Sequence, residues 1–219
     1  VDIQLHQAHA WDVPPEAARQ IQQRLAGLVR EEPLAQPVHT VAGIDMGVRG
    51  DRVQAAAVVV QLPDLAVVDA AVWQGPVTFP YVPGLLSFRE VPPVLHALAR
   101  LSIMPDVLMT DGQGRAHPRR CGLACHLGVL LDRPTLGVAK SLLVGTFAPP
   151  GPDRGSHAPL LHRHEVVGAV LRTRANVQPV YVSVGHRITL DEAVSLTLAC
   201  TGRYRLPEPT RQAHLRSQF

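Results

Sequence analysis

VAGIDMGVRGDRVQAAAVVVQLPDLAVVDAAVW, Val41 to Trp73, reads as three consecutive strands, over about Val38–Gly47, Val53–Gln61 and Ala66–Trp73. The runs are short, apolar and rich in valine, and Pro63-Asp64 supplies a hairpin turn between the second and third. Asp45 closes the first apolar run. A carboxylate at the end of a core strand costs desolvation free energy unless a cation meets it. The pattern recurs in VLMTD (Val107–Asp111), where a buried strand ends on Asp111 and opens the turn DGQGR. Glu90, in SFREVPP, lies near the start of a helix and could come to the same place. Acids with no basic partner fixed nearby in sequence suit a divalent metal, and Mg²⁺ takes one or two carboxylates plus phosphate oxygens. Strand-terminal Asp also caps turns, so a purely structural role stays open for both.

Working outward, Pro15 to Arg30 reads as a helix, with Ala18, Ile21, Leu25 and Leu28 at helical spacing and Pro33 as its stop. After the three strands, GPVTFPYVPG leads into a helix starting near Ser87, in which Pro92 and Pro93 are tolerable only in the first turn or at a break. Then come the strand Val107–Asp111, an apolar helix from about Pro118 to Leu131, and a strand Thr135–Ala139 running into Lys140. Residues 149–164 are expected to be a mobile polar loop. Val166–Leu171 and Val180–Gly185 alternate as a hairpin pair does, and Leu190–Cys200 is a helix opened by a capping box of Thr189 and Glu192. A short helix follows Pro209. Three antiparallel strands, helix, strand, helix, strand is the order of a ribonuclease H-like fold: α/β, with a mixed central sheet flanked by helices. Nothing marks a second domain, so residues 1–219 are expected to form one.

Apolar residues make up 46% and charged residues 18% of the 219, which describes a globular chain and excludes a disordered one. No apolar run is long enough for a transmembrane helix, and the N-terminus lacks the layout of a signal peptide. An odd count of three cysteines in apolar surroundings suits a reducing compartment, so a cytoplasmic monomer with no membrane association is expected. The formal charge is only +3, but the basic residues cluster. Arg115, His117, Arg119 and Arg120 follow Asp111, and Arg203, Arg205, Arg211, His214 and Arg216 fill a basic tail over 203–219. Such charges suit a phosphate backbone lying across a metal site, or simply a solvated surface.

Together, GIDMGV (Gly43–Val48), PYVPGLLSFRE (Pro80–Glu90), DGQGRAHPRRCGLACHLG (Asp111–Gly128), PTLGVAKSLLVG (Pro134–Gly145), VYVSVGHRITLDEAV (Val180–Val194) and RLPEPTRQAH (Arg205–His214) resemble the endonuclease V family of deoxyinosine-specific repair nucleases. The resemblance implies a Mg²⁺-dependent endodeoxyribonuclease, with Mn²⁺ able to substitute. It would nick DNA containing deoxyinosine at the second phosphodiester 3′ to the lesion, leaving 3′-hydroxyl and 5′-phosphate ends. An inosine-specific endoribonuclease acting on RNA is the alternative within the family. A catalytically silent nucleic-acid-binding module is the alternative outside it.

The resemblance assigns metal binding to Asp45, Glu90 and Asp111 and catalysis to Lys140 and His214. Lys140 is the only lysine in the chain, which weighs against a role as one surface lysine among many. The loop Pro80, Tyr81, Val82 and Pro83 (with Gly84, the segment 80–84) corresponds to a strand-separating wedge. Two prolines stiffen it, and enzymes that inspect one base often push an apolar or aromatic group into the stack. Gly84, Leu86 and Gly112 correspond to the pocket for the flipped base, and His117 could close that pocket or contact phosphate. DGQGR lacks the third glycine of a dinucleotide fingerprint. Cys121, Cys125 and His126 lack a second pair of ligands for zinc, and buried thiols are expected instead. His157, His162 and His164 are expected to bind nothing.

Overall fold

The computed structural model describes residues 1–219. An N-terminal helix α1 (Pro15–Ala26) precedes the meander β1 (Thr40–Arg49), β2 (Arg52–Gln61) and β3 (Ala66–Pro76). Next come α2 (Leu86–Ala99), β4 (Val107–Thr110), α3 (Leu123–Leu131) and β5 (Thr135–Ala139). The chain ends with β6 (His157–His162), β7 (Glu165–Leu171), β8 (Val180–His186), α4 (Leu190–Ala199) and α5 (Glu208–Ser217). All strands join one eight-stranded sheet in the order β3-β2-β1-β4-β5-β8-β7-β6. β4 lies parallel to β1 and β5 parallel to β4, while the other neighbours are antiparallel. The first five strands thus have the ribonuclease H-like arrangement expected from their order.

The sheet is covered on both faces, which is why β2 has eight successive buried residues, all apolar but Gln54. On one face Ala42, Ile44, Ala55 and Ala57 meet α2 and α3 through Val91, Val94, Leu98, Leu127 and Leu130. On the other, Met109, Leu136, Val138 and Val182 meet Val194 and Leu196 of α4. Each fully buried Val, Leu, Ile or Met among them contributes about 1.5–3 kcal/mol. No helix is long and apolar enough to cross a membrane.

Helix α5 lies across β1 on the face that carries Gly43, Asp45 and Gly47. A Cβ at Gly43 would stand 1.9 Å from the Pro209 carbonyl carbon, and one at Gly47 would stand 2.2 Å from the Ser217 oxygen. Two bare positions flanking Asp45 therefore let α5 approach at backbone contact. That approach delivers the last turn of α5 to the carboxylate.

Some boundaries differ from the sequence reading. α1 stops at Ala26 because Gly27 is its C-cap, and Leu28 is exposed. α3 starts at Leu123 rather than Pro118, because Arg120 adopts φ +58° and no helix continues through it. Pro92 and Pro93 lie inside α2, past its first turn. They lack the amides that the Phe88 and Arg89 carbonyls would otherwise accept from. The segment 149–164, expected as a mobile loop, contains β6, which pairs with β7 at the sheet edge. α5 begins at Glu208, one residue before Pro209. The capping box is present, with Thr189 Oγ1 accepting from the Glu192 amide at 3.2 Å and Glu192 Oε2 from the Thr189 amide at 3.0 Å.

Candidate active site

Parallel pairing of Gly43 with Met109 and of Ile44 with Thr110 sets Asp45 and Asp111 side by side at adjacent strand ends. Adjacent strands are about 4.8 Å apart, so both carboxylates share one small volume. α5 adds His214, and the ligand atoms of Asp45, Asp111 and His214 all lie within 4.8 Å of one another. His214 Nδ1–H donates to Asp45 Oδ2 at 2.9 Å and Ser217 Oγ donates to the same oxygen at 2.6 Å. Asp45 Oδ1 and His214 Nε2 are left without protein partners. Lys140, at the end of β5, holds Asp111 Oδ2 at 2.5 Å.

Glu90 comes from α2 on the other face and is not in that closest group, although it is near enough to feel both aspartates. Its carboxyl is pushed up to about 8, first by burial and then by the charges of Asp45 and Asp111, against the pull of Arg89. Asp111 is also raised, mainly by burial, although Lys140 lowers it. One ammonium thus faces several crowded acids. The residues fit a divalent cation: hard oxygen donors, one imidazole, and a deficit of positive charge that such an ion would supply. Asp45, Asp111 and His214 form a group able to hold a metal.

The raised Glu90 gives a pH test. A carboxyl whose folded value lies above its ordinary 4.5 makes the folded chain bind the proton more tightly. That stabilisation is complete below 4.5 and fades as pH rises through about 8. The metal-free protein should lose several degrees of Tm between about pH 4.5 and 8, and Glu90→Gln should remove most of that loss. A divalent cation should flatten the slope as well, since binding expels the proton. Parent and Glu90→Gln profiles that run parallel would contradict the assignment.

Beside the acids is a cavity of about 190 Å³ lined by Tyr81, Val82, Pro83, Gly84, Leu86, Glu90, Gly112 and His117. Every residue expected in the base pocket lines it, and three of the four expected in the wedge do. Pro80 is the exception and is solvent-exposed. Tyr81 is 69% exposed at the rim. Three donors converge on the Gly84 carbonyl: Arg119 Nη2 at 2.7 Å, Gln22 Nε2 at 3.0 Å and His117 Nε2 at 3.1 Å. His117 Nδ1 accepts from the Arg119 amide at 3.2 Å. Both ring nitrogens are engaged, and burial, with the Arg119 charge beside it, lowers the imidazole to about 4, so His117 braces the pocket wall.

A larger hollow of about 480 Å³ lies at the opposite end of the parallel strands. Two of its four acids are committed, Asp106 to the His39 and Thr40 amides and Asp132 to Arg187. The acids and the smaller cavity sit at the carboxyl ends of those strands, where open α/β sheets bind ligands.

Sequence reasoning missed Ser217, Gln22 and Leu143. Ser217 is one turn beyond His214 and Leu143 three residues beyond Lys140; Leu143 lines the cavity. Gln22 had a signal, because it is a polar residue on the stripe of Ala18 and Leu25 and is 1% exposed. Many of the clustered arginines are spent inside the protein: Arg115 on Glu31, Arg120 on Glu165 and Arg211 on Glu208. The cysteines are free and buried, as expected, and burial pushes Cys121 and Cys200 up to about 12. His162 bonds Arg120.

The family model for endonuclease V matches residues 23–215. An endonuclease V of Roseiflexus castenholzii is 55% identical over 205 residues, 94% of this chain and 92% of that one. The crystal structure of endonuclease V from Streptomyces avermitilis superposes with a TM-score of 0.91 at 47% identity, covering 99% of this chain and 96% of that one. An endonuclease V of Ciona intestinalis has a TM-score of 0.80 at 27% identity, covering 92% and 95%. That protein was crystallised with a 24mer DNA containing an inosine followed by a ribo-adenosine. With the acids, Lys140, His214 and all of the pocket but Gln22 inside the matched span, the chain belongs to the endonuclease V family.

Proposed function

We propose that this chain is a Mg²⁺-dependent endodeoxyribonuclease that recognises deoxyinosine. It nicks the second phosphodiester on the 3′ side and leaves 3′-hydroxyl and 5′-phosphate ends. The observation that carries this reading is the shared wall between cavity and acids. Gly112, in the pocket, follows Asp111 directly, and Glu90 lines the pocket while feeling both aspartates. A base held there brings its own strand across the acids.

Tyr81, stiffened by its flanking prolines, acts as the wedge that enters the stack when the base leaves it. Gly84 and Gly112 let backbone approach the base edge closely, and the Gly84 carbonyl is fixed by its three donors. Asp45, Asp111 and Glu90 would hold the metal, with His214 beside them. Bound there, Mg²⁺ supplies activation of water and charge stabilisation at phosphorus and at the leaving 3′ oxygen. Lys140 opposes the upward push of burial on Asp111 and would place an ammonium beside the scissile phosphate, where developing negative charge is stabilised. His214, oriented by its bond to Asp45, offers Nε2 to the phosphate.

An inosine-directed ribonuclease is the second reading, favoured by the ribo-adenosine beside inosine in the Ciona complex. Matched DNA and RNA oligonucleotides, each with a single inosine, separate the two. Mg²⁺ and Mn²⁺ should support nicking of DNA, and Ca²⁺, with longer and looser bonds, should support binding without turnover. Cleavage confined to RNA overturns the deoxyribonuclease reading in favour of the second.

A further inference from the structure

The loop before α5 carries RYR, Arg203 to Arg205, and its tyrosine takes no part in the site described above. Tyr204 is 46% exposed. The Arg211 guanidinium lies 4.3 Å from its ring centroid and that of Arg203 5.8 Å. Arg211 is held by Glu208 at 2.6 Å, whereas Arg203 is exposed and makes no hydrogen bond or ion pair. Two separate anchors tie this ring to the catalytic residues. Arg205 Nη2 donates to the Lys140 carbonyl at 2.9 Å, and Nε donates to the Gln178 carbonyl at 2.8 Å. Arg211 precedes His214 by one helical turn on the same side of α5.

The two faces of the sheet set the direction. The pocket is built from α1, α2 and the turn after β4, while α5 and the Tyr204 loop lie on the opposite face. The acids stand between them at the sheet's end. A strand with one base in the pocket and its backbone over the acids would have Tyr204 ahead of it, on the side anchored to Lys140 and α5. Exposed aromatics flanked by arginine are platforms for single-stranded nucleic acid, because every base has a π-face and guanidinium groups meet phosphate.

We propose that Tyr204, with Arg203 and Arg211, is a stacking platform for the nucleotides immediately 3′ of the scissile phosphate, so that one strand is gripped on both sides of the cut. This rests on the reading of the chain as an inosine-directed nuclease and deepens it. The platform belongs to the side of the strand that becomes the 5′-phosphate product.

The test pairs Tyr204→Leu, which keeps apolar bulk but no ring, with single-inosine oligonucleotides whose bases 3′ of the cut are replaced by abasic tetrahydrofuran units. Affinity is read in Ca²⁺ by fluorescence anisotropy. The parent should bind the abasic substrate about tenfold or more weaker than the intact one, the scale of one lost stacking contact. Tyr204→Leu should lose about as much on the intact substrate and little more on the abasic one, and Tyr204→Phe should bind like the parent. Equal losses for Tyr204→Leu on both substrates assign the ring to holding α5 and overturn the proposal, as does no loss at all. Unmodified single-stranded DNA keeps the two readings apart. Its binding reports on the platform without the pocket, and a parent that nicks no inosine substrate sinks the nuclease reading alone.

Discussion

Asp45→Asn and Asp111→Asn should each lower nicking of inosine DNA by at least about two to three orders of magnitude, the scale of a principal electrostatic stabiliser. Asn keeps the shape of the side chain and an acceptor oxygen. At position 45 that oxygen can still take the bonds from Ser217 and His214, so α5 should stay docked. At position 111 the change removes the partner of Lys140, whose side chain is 37% exposed and can return to water. The loss should therefore fall on chemistry, with thermal unfolding near that of the parent. Single-turnover nicking in Mg²⁺ alongside a melt checks both halves. A variant that cuts within about tenfold of the parent removes that residue from the metal site.

Tyr81→Ala should show the complementary pattern. Its ring is 69% exposed and bears on nothing in the acidic cluster, so removing it leaves the metal site intact. If the ring replaces stacking lost when the base leaves the duplex, binding of inosine DNA weakens by roughly 1–3 kcal/mol. The loss should be largest in a stable duplex and smaller in single strands, where less stacking is broken. The acid variants should bind well and cut poorly. Duplex binding by Tyr81→Ala equal to the parent would reduce the loop to ordinary packing.

The acidic cluster was legible because its signal is local. Asp45 and Asp111 each interrupt an apolar run, and a carboxylate there needs an explanation wherever the chain goes. β5 and the capped α4 were legible for the same reason, one as a short apolar run between turn signals and the other through its Thr189–Glu192 box. The edge strand β6 was hidden. Only Ala158 and Leu160 are buried in it, and Pro159 and two histidines give it the composition of a loop, which an edge strand tolerates. The supports of the site were hidden more deeply. His214 reaches Asp45 across 169 positions and Gln22 reaches Gly84 across 62, and no window of sequence carries such pairings. The bare positions Gly43 and Gly47 were visible as letters, but their purpose appears only when α5 lies against them. The tightest cluster of potential ligand atoms also includes His214, with Glu90 coupled to it through charge.

The most direct measurement is the position and chemistry of the cut in a duplex carrying one deoxyinosine, mapped on both new ends with Mg²⁺ and again in EDTA. A single nick is expected at the second phosphodiester 3′ to the lesion, with 3′-hydroxyl and 5′-phosphate ends, and no nick once the divalent ion is chelated. Efficient nicking in EDTA, or cutting that ignores the position of the inosine, would contradict it.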